Sequence, residues 1–362
     1  MTSWTPSVQA SPRVFSTLER FETSSLYAHE CTGRESLRAV ITGIAHAVPD
    51  TVLTNQELER MVETSDEWIV QRTGIRERRI AGENETTATL STQAVKNLLA
   101  KTNFNAADID IVICATVTGD MLFPSVSCLV QAAVGAVNAG AVDIGAACAG
   151  FIYALTVATS MIESGQVRNA IVVGGDTLTK FIDWTDRGTC VLFGDGAGAV
   201  LVEGRTDTDR GVMKTVLLSD GKGARYIDVQ AGGSKFPHGS EWSTNRRTKI
   251  FMAGSEVYRF AVTAIPEACC KVLAQAQMTA NDIDLFVPHQ ANLRIIESAA
   301  RRLKLPEEKV FINVDKYGNT SGGSVPIALS EADETGRLQQ GMVVMTVGFG
   351  AGLVWGANLI RW

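Results

Sequence analysis

Asp108-Ile109-Asp110-Ile111 recurs as Asp282-Ile283-Asp284-Leu285 at a separation of 174 residues, and Ile171-Val172-Val173 recurs at Val343-Val344-Met345 with almost the same spacing. Helical patterns ending near Ala100 and Ala274 precede the two Asp-rich runs. Paired echoes with matching flanks point to an internal duplication, which constrains the fold more than any one segment's propensity. Short β-branched runs alternate with helical patterns on both sides of the repeat. They fall at Arg38–Ala47, Ile109–Val117, Val142–Ile144, Ala170–Gly174, Ala199–Val202, Ile283–Val287, Val310–Val314, Met342–Val347 and Leu353–Ile360. That alternation implies a layered α/β fold with buried sheets. The expected division is 38–205 and 206–362, with a pocket where equivalent loops of the two halves converge.

Composition narrows the class. The 362 residues carry a net charge of −6, which gives no broad footprint for nucleic acid, and no apolar run approaches the roughly 18 residues needed to span a bilayer. Seven cysteines, an odd number placed mostly in apolar stretches, fit free thiols in a reducing compartment and not a disulfide framework. Residues 1–37 are rich in Ser and Thr and lack periodic apolar spacing. The absence of acids before Glu19 is reminiscent of a transit segment, but the acids that follow and the missing apolar core favour a flexible extension.

Three residues draw chemical attention. Cys148 stands where a strand meets an apolar helix, among Ala146, Ala147, Ala149 and Gly150; a helix N-terminus favours thiolate, so an activated nucleophile is expected. His289 follows the strand Leu285-Phe286-Val287, at the C-terminal edge where α/β folds place reactive groups. Asn319 lies between the run Val310–Val314 and a helix, near the repeat position of Cys148. Taken singly, a core cysteine, an exposed imidazole and a turn asparagine remain the plainer readings. No pair of His or Cys has metal-ligand spacing.

Five ordered strings then carry a resemblance. They are Asp66-Glu67-Trp68-Ile69-Val70-Gln71-Arg72-Thr73-Gly74-Ile75-Arg76-Glu77-Arg78, Ala147-Cys148-Ala149-Gly150-Phe151, Phe193-Gly194-Asp195-Gly196-Ala197-Gly198-Ala199, Val287-Pro288-His289-Gln290-Ala291-Asn292 and Gly318-Asn319-Thr320-Ser321. In this order, across Arg38 to Trp362, the chain resembles the β-ketoacyl-acyl-carrier-protein synthase III family. The resemblance implies a duplicated thiolase-like fold of five layers, αβαβα, and a Cys148, His289, Asn319 triad. Cys148 would take the acyl group of an acyl-CoA, usually acetyl-CoA, and malonyl-acyl carrier protein would then lose carbon dioxide and condense with it. His289 and Asn319 would donate to the enolate oxygen, with acyl-CoA as substrate and no cofactor.

The resemblance further implies an oxyanion hole from the backbone N–H groups of Cys148 and Ala351. Trp68 and Arg187 would sandwich adenine, Arg72 and Thr73 would hold the nucleotide, and Gly254, Tyr258, Ala291 and Asn292 would line the pantetheine tunnel. Phe123, reaching across a homodimer, would join Leu192 and Phe193 around the acyl pocket. Arg259, Arg294, Arg301 and Arg302 would dock the acidic carrier protein. A cytoplasmic enzyme of fatty acid synthesis is expected, or a plastid one if residues 1–37 are a transit segment. Two other readings stay open at this point: a related thiolase-fold acyltransferase or specialised-metabolite condensing enzyme, and a hydrolase in which Asn319 orients His289.

Overall fold

The computed structural model describes residues 37–239 and 248–362, so the extension expected over residues 1–37 lies, Leu37 apart, outside the described residues. The first series of elements begins with β1 (Arg38–Ala47), β2 (Val52–Thr54), α1 (Asn55–Leu58), α2 (Asp66–Thr73) and β3 (Glu77–Arg79). It continues with α3 (Thr87–Thr102), β4 (Ile111–Ala115), α4 (Val126–Val134), β5 (Gly140–Ile144), α5 (Gly150–Glu163), β6 (Asn169–Thr177), α6 (Arg187–Cys190) and β7 (Asp195–Arg205). The second series opens with β8 (Gly211–Ser219), β9 (Ile227–Asp228), β10 (Phe251–Met252), α7 (Gly254–Ala276) and β11 (Leu285–Pro288). It closes with α8 (Leu293–Leu303), α9 (Val314–Tyr317), α10 (Ser324–Glu334), β12 (Val343–Gly350) and β13 (Val354–Arg361).

The echo seen in the sequence has a structural counterpart. A separation of 174 residues divides the starts of β4 and β11, of β6 and β12, and of α5 and α10. The left-handed residues that end α3 and α7, Asn103 (φ 53°) and Gln277 (φ 55°), stand at the same separation. One sheet has the order β1-β7-β6-β4-β5 and the other β11-β12-β13-β8. In each, a parallel pair (β4 with β6, β11 with β12) continues into antiparallel neighbours.

Layering follows from which faces are apolar. On β6, Ile171 and Val173 pack with Leu90 and Leu98 of α3 and Val130 of α4, while Val172 faces the other way. Both faces are therefore buried, and this is why the strand reads as a continuous β-branched run. Val172 meets Phe151 and Leu155 of α5, Val325 and Leu329 of α10, and Val344 and Ile360 of the second sheet in one core. Helices α7 and α8 cover the outer face of that second sheet. The result is the five-layer αβαβα arrangement, with α5 and α10 as its middle layer.

One expected strand is absent. Val310 makes an isolated bridge to Phe286, and Val314 already begins α9. The buried Gln290 carboxamide accepts the N–H groups of Asn313 (3.0 Å) and Val314 (3.2 Å), so these donors are not available to a neighbouring strand. The chain is released there into the turn that carries Asn319.

Candidate active site

Cys148 lies in a single 3₁₀ turn, Ala147–Ala149, between β5 and α5. The turn is entered through Ala147 in the left-handed region, φ 44°. Gly350, at the end of β12, passes directly over it: a Cβ there would stand 2.6 Å from Cys148 N. Only a residue without Cβ permits that approach. The expected thiolate is not what the site favours. Helix α5 begins two residues after the cysteine, and burial pushes its thiol up to about 12, with the Asp176 charge acting in the same direction. Ser321 and the cysteine's own backbone N–H act the other way.

His289 leaves the end of β11, where its N–H donates to Val347 O at 2.7 Å. The side chain is buried, and burial lowers the imidazole to about 3, so it is neutral throughout the physiological range. Its Nδ1 lies 2.5 Å from Ser324 Oγ, and that oxygen also accepts from Gln290 N at 3.4 Å. With the Ser324 hydroxyl donating to Nδ1, the ring proton would sit on Nε2. The ring of Phe349 meets the imidazole edge-on, with centroids 5.3 Å apart.

Asn319 is pinned by its own backbone, whose N–H donates to Leu192 O (2.8 Å) and whose carbonyl accepts from Gly194 N (3.0 Å). Its Oδ1 accepts from Ser321 N–H at 2.9 Å, so Nδ2 is the end left to donate outward. Cys148, His289 and Asn319 all open onto one cavity of 1120 Å³.

The same cavity is lined by Trp68, Arg72, Thr73, Gly254, Tyr258, Ala291 and Asn292. Leu192, Phe193 and Ala351 line it as well. Two of these side chains are already committed within the protein. Thr73 Oγ1 donates to Ile69 O (2.6 Å), and Asn292 caps α8 through Arg294 N (2.9 Å) and donates to Arg72 O (3.0 Å). They shape the wall and have little left to offer a ligand. Arg187 stacks on Trp68 with its guanidinium 4.8 Å from the ring centroid, and Arg72 approaches the same ring at 5.8 Å. An aromatic ring could enter only after Arg187 swings away.

Phe123 does not line its own chain's cavity; it is 82 % exposed, next to Leu122 at 78 %, shortly before α4, whose first N–H groups bind Asp143 of the sheet-edge strand β5. The four arginines are less uniform than their spacing suggests. Arg294 lines the cavity and lies 5.8 Å from the Tyr258 ring, and Arg301 is exposed. Arg259 is paired with Glu256, and Arg302 donates to Val262 O at 2.7 Å.

The sequence reading missed Ser321, Ser324 and Asp176. Asp176 is buried at the end of β6, where it accepts from Thr116 Oγ1 and Thr118 Oγ1, both at 2.8 Å, and from Gly322 N at 3.1 Å. It thereby ties the first half's β4 loop to the turn after Asn319. The available signal was a lone acid closing a long apolar strand. Among the described residues no group of three or more His, Cys, Asp or Glu could hold a metal ion, and no helix is long and apolar enough to cross a membrane.

Comparison with known proteins gives a consistent result. Residues 142–221 match the family profile described as 3-oxoacyl-[acyl-carrier-protein (ACP)] synthase III, and residues 273–362 match its C-terminal counterpart. A beta-ketoacyl-[acyl-carrier-protein] synthase III of Caldanaerobacter subterraneus is 50% identical over 328 residues, 91% of this chain and 99% of that protein. A protein of the same name from Roseiflexus castenholzii is 51% identical over 324 residues, 90% of this chain and 98% of its own. Among solved structures, the beta-ketoacyl-[acyl carrier protein] synthase III of Thermus thermophilus superposes with a TM-score of 0.84 at 45% identity, covering 89% of this chain and 99% of that one.

Proposed function

Because this chain belongs to the 3-oxoacyl-[acyl-carrier-protein] synthase III family, we propose that Cys148, His289 and Asn319 divide its reaction between them. The enzyme is an acyltransferase of the condensing type, joining an acyl-CoA primer to malonyl-acyl carrier protein and so initiating fatty acid synthesis. In the first half-reaction Cys148 Sγ attacks the thioester carbonyl. The backbone N–H groups of Cys148 and Ala351 hold the developing oxyanion, the C–S bond to CoA breaks, and the thiol proton leaves with CoA. Malonyl-acyl carrier protein then loses carbon dioxide. The enolate oxygen is held by His289 Nε2–H and Asn319 Nδ2–H, and the carbanion attacks the acyl-Cys148 carbonyl. Collapse expels the Cys148 thiolate, which takes up a proton, and releases the β-ketoacyl carrier protein.

The convergence of these three side chains on one cavity carries this reading. Neutrality of the donors matters as much as position: a buried imidazole that already holds its proton on Nε2 can stabilise an oxyanion without first being charged. A hydrolase would need Asn319 to orient His289, whereas Asn319 Oδ1 is engaged by Ser321 and His289 Nδ1 by Ser324. The electron sink is the substrate's own thioester carbonyl, so each step is served by the chain's residues with acyl-CoA as substrate and without a cofactor.

Around this centre we read Trp68, Arg72 and Arg187 as the nucleotide grip, and Gly254, Tyr258 and Ala291 as the pantetheine wall, with Thr73 and Asn292 as its supports. Arg294 and Arg301, aided by Arg259 and Arg302, form the carrier-protein surface. Exposed Leu122 and Phe123 shortly before α4 support a homodimer in which Phe123 closes the partner's acyl pocket. A short primer such as acetyl-CoA and a cytoplasmic location complete the proposal. We take residues 38–205 and 206–362 as the two halves.

The test combines radiolabelled acetyl-CoA, malonyl-acyl carrier protein and product identification by mass. Cys148→Ser should block acyl-enzyme formation. His289→Ala and Asn319→Ala should still be acylated yet lose decarboxylation by about 10²- to 10³-fold, the usual cost of removing one oxyanion donor. Undiminished decarboxylation in Asn319→Ala would remove the role assigned to it.

A further inference from the structure

The left-handed turn that carries the nucleophile has a repeat-related partner in the second half. Ala147 (φ 44°) opens the 3₁₀ turn Ala147–Ala149 before α5, and Ser321 (φ 51°), exactly one repeat later, opens the 3₁₀ turn Ser321–Gly323 before α10. A non-glycine residue is costly in this region and persists only where the surroundings impose it. The second turn therefore holds a side chain at a strained position. The two turns meet: a Cβ on Gly322 would fall 3.6 Å from Ala147 O, and β6 presses on the second turn from beneath, where a Cβ on Gly174 would fall 2.1 Å from Gly322 O. Ser321 lines the same cavity as Cys148, yet its residue surface is 1% exposed and its Oγ has no N or O hydrogen-bond partner among the described residues. A buried hydroxyl left unpaired is unfavourable unless a reacting group uses it.

We propose that Ser321 Oγ–H is the donor that holds the negative charge on Cys148 Sγ, both when the thiol attacks acyl-CoA and when the thiolate is expelled after condensation. The inference rests on Cys148 being the nucleophile. Ser321 keeps its proton throughout: the thiol proton departs with CoA in the first step, and solvent returns one after the second. The need for such a donor is plain, because burial and the Asp176 charge both oppose the thiolate, and Ser321 is the side chain that favours it. One residue thus serves both half-reactions. Its N–H turns the Asn319 carboxamide so that Nδ2 faces outward, and its hydroxyl serves the sulfur.

Ser321→Ala removes the hydroxyl and keeps the Cβ, while Ser321→Gly removes both and relieves the backbone. Two rates are measured for the full-length wild type and both variants, with folding checked by thermal unfolding. One is iodoacetamide labelling of the Cys148 peptide across the alkaline pH range, read by mass. The other is single-turnover transfer from radiolabelled acetyl-CoA to that peptide. A hydrogen bond to a charged group predicts a fall of about ten- to a hundredfold in both rates, equal in the two variants. Labelling at the wild-type rate in a folded variant would overturn the proposal, as would a loss confined to acetyl transfer. A large difference between the Ala and Gly variants would assign the effect to backbone strain and overturn it as well. Acetyl label found in the wild type on a residue other than Cys148 would instead defeat the nucleophile assignment itself, which is read separately.

Discussion

Replacing Gly350 by alanine probes the tight approach of β12 to Cys148, the proposed nucleophile. The added Cβ would sit 2.6 Å from Cys148 N, 3.1 Å from Ala147 Cβ and 3.2 Å from Cys148 Cβ. Carbon and nitrogen need about 3.4 Å or more, so the β12 end and the cysteine turn must part by about 0.8 Å, and neither can yield by rotating a side chain. Overpacking of this kind costs about 1–3 kcal/mol of stability. The kinetic cost is larger, because the proposed oxyanion donors are the N–H of Cys148 and that of Ala351, the residue that follows the displaced end of β12. A displacement of about 1 Å at a reacting centre costs about 10²-fold. Single-turnover acetylation by labelled acetyl-CoA should therefore slow about a hundredfold in Gly350→Ala. Gly348→Ala, whose nearest contacts would be 3.1 Å, should be milder. Wild-type acetylation in a Gly350→Ala protein that unfolds at the wild-type temperature would refute the oxyanion geometry.

Two other outcomes concern charge. Burial lowers His289 from 6.5 to about 3, so between those values the unfolded chain binds a proton that the folded chain refuses. Stability should then fall as pH drops below 6.5, by about 1.4 kcal/mol per unit from this group, and urea midpoints at about pH 5 and pH 7 should show His289→Ala lacking that increment. At the surface, replacing both Arg301 and Arg302 by alanine should raise the KM for the carrier protein while leaving that for acetyl-CoA unchanged, with a weaker salt dependence. Equal effects on both substrates would reject the docking surface.

Much of this was legible before any coordinates, for physical reasons that differ between residues. The core strands announced themselves because β4, β6 and β12 are buried on both faces, and only apolar, largely β-branched runs satisfy that environment. β8 went unnoticed because its pattern mixes buried and exposed positions, and β5 has exposed residues along a sheet edge. The stretch Val310–Val314 misled because Val310, Phe311 and Val314 are buried although a single bridge, Val310 to Phe286, is all that joins the run to β11; a glutamine side chain takes the N–H groups of Asn313 and Val314 that further pairing would have used. Cys148, His289 and Asn319 were found through their motifs. Ser321 stayed hidden within one of those strings and Ser324 three residues beyond it, since nothing in a serine's identity tells which atom it will face. The cysteine's chemistry was misjudged for a related reason: proximity to a helix start is visible in sequence, whereas the desolvation that opposes it depends on what packs around the sulfur.

The middle layer has one last consequence. The turn bearing the proposed nucleophile leads into α5 and the turn bearing its proposed donors leads into α10, and these two helices share one core through Phe151, Leu155, Val325 and Leu329. Spacing between the reacting groups is thus an internal coordinate of a single slab of packing and does not depend on how two separate bodies happen to dock. Substitutions that swell or shrink that slab should carry both turns along together, allowing the interior to drift over generations while the chemistry stays in register.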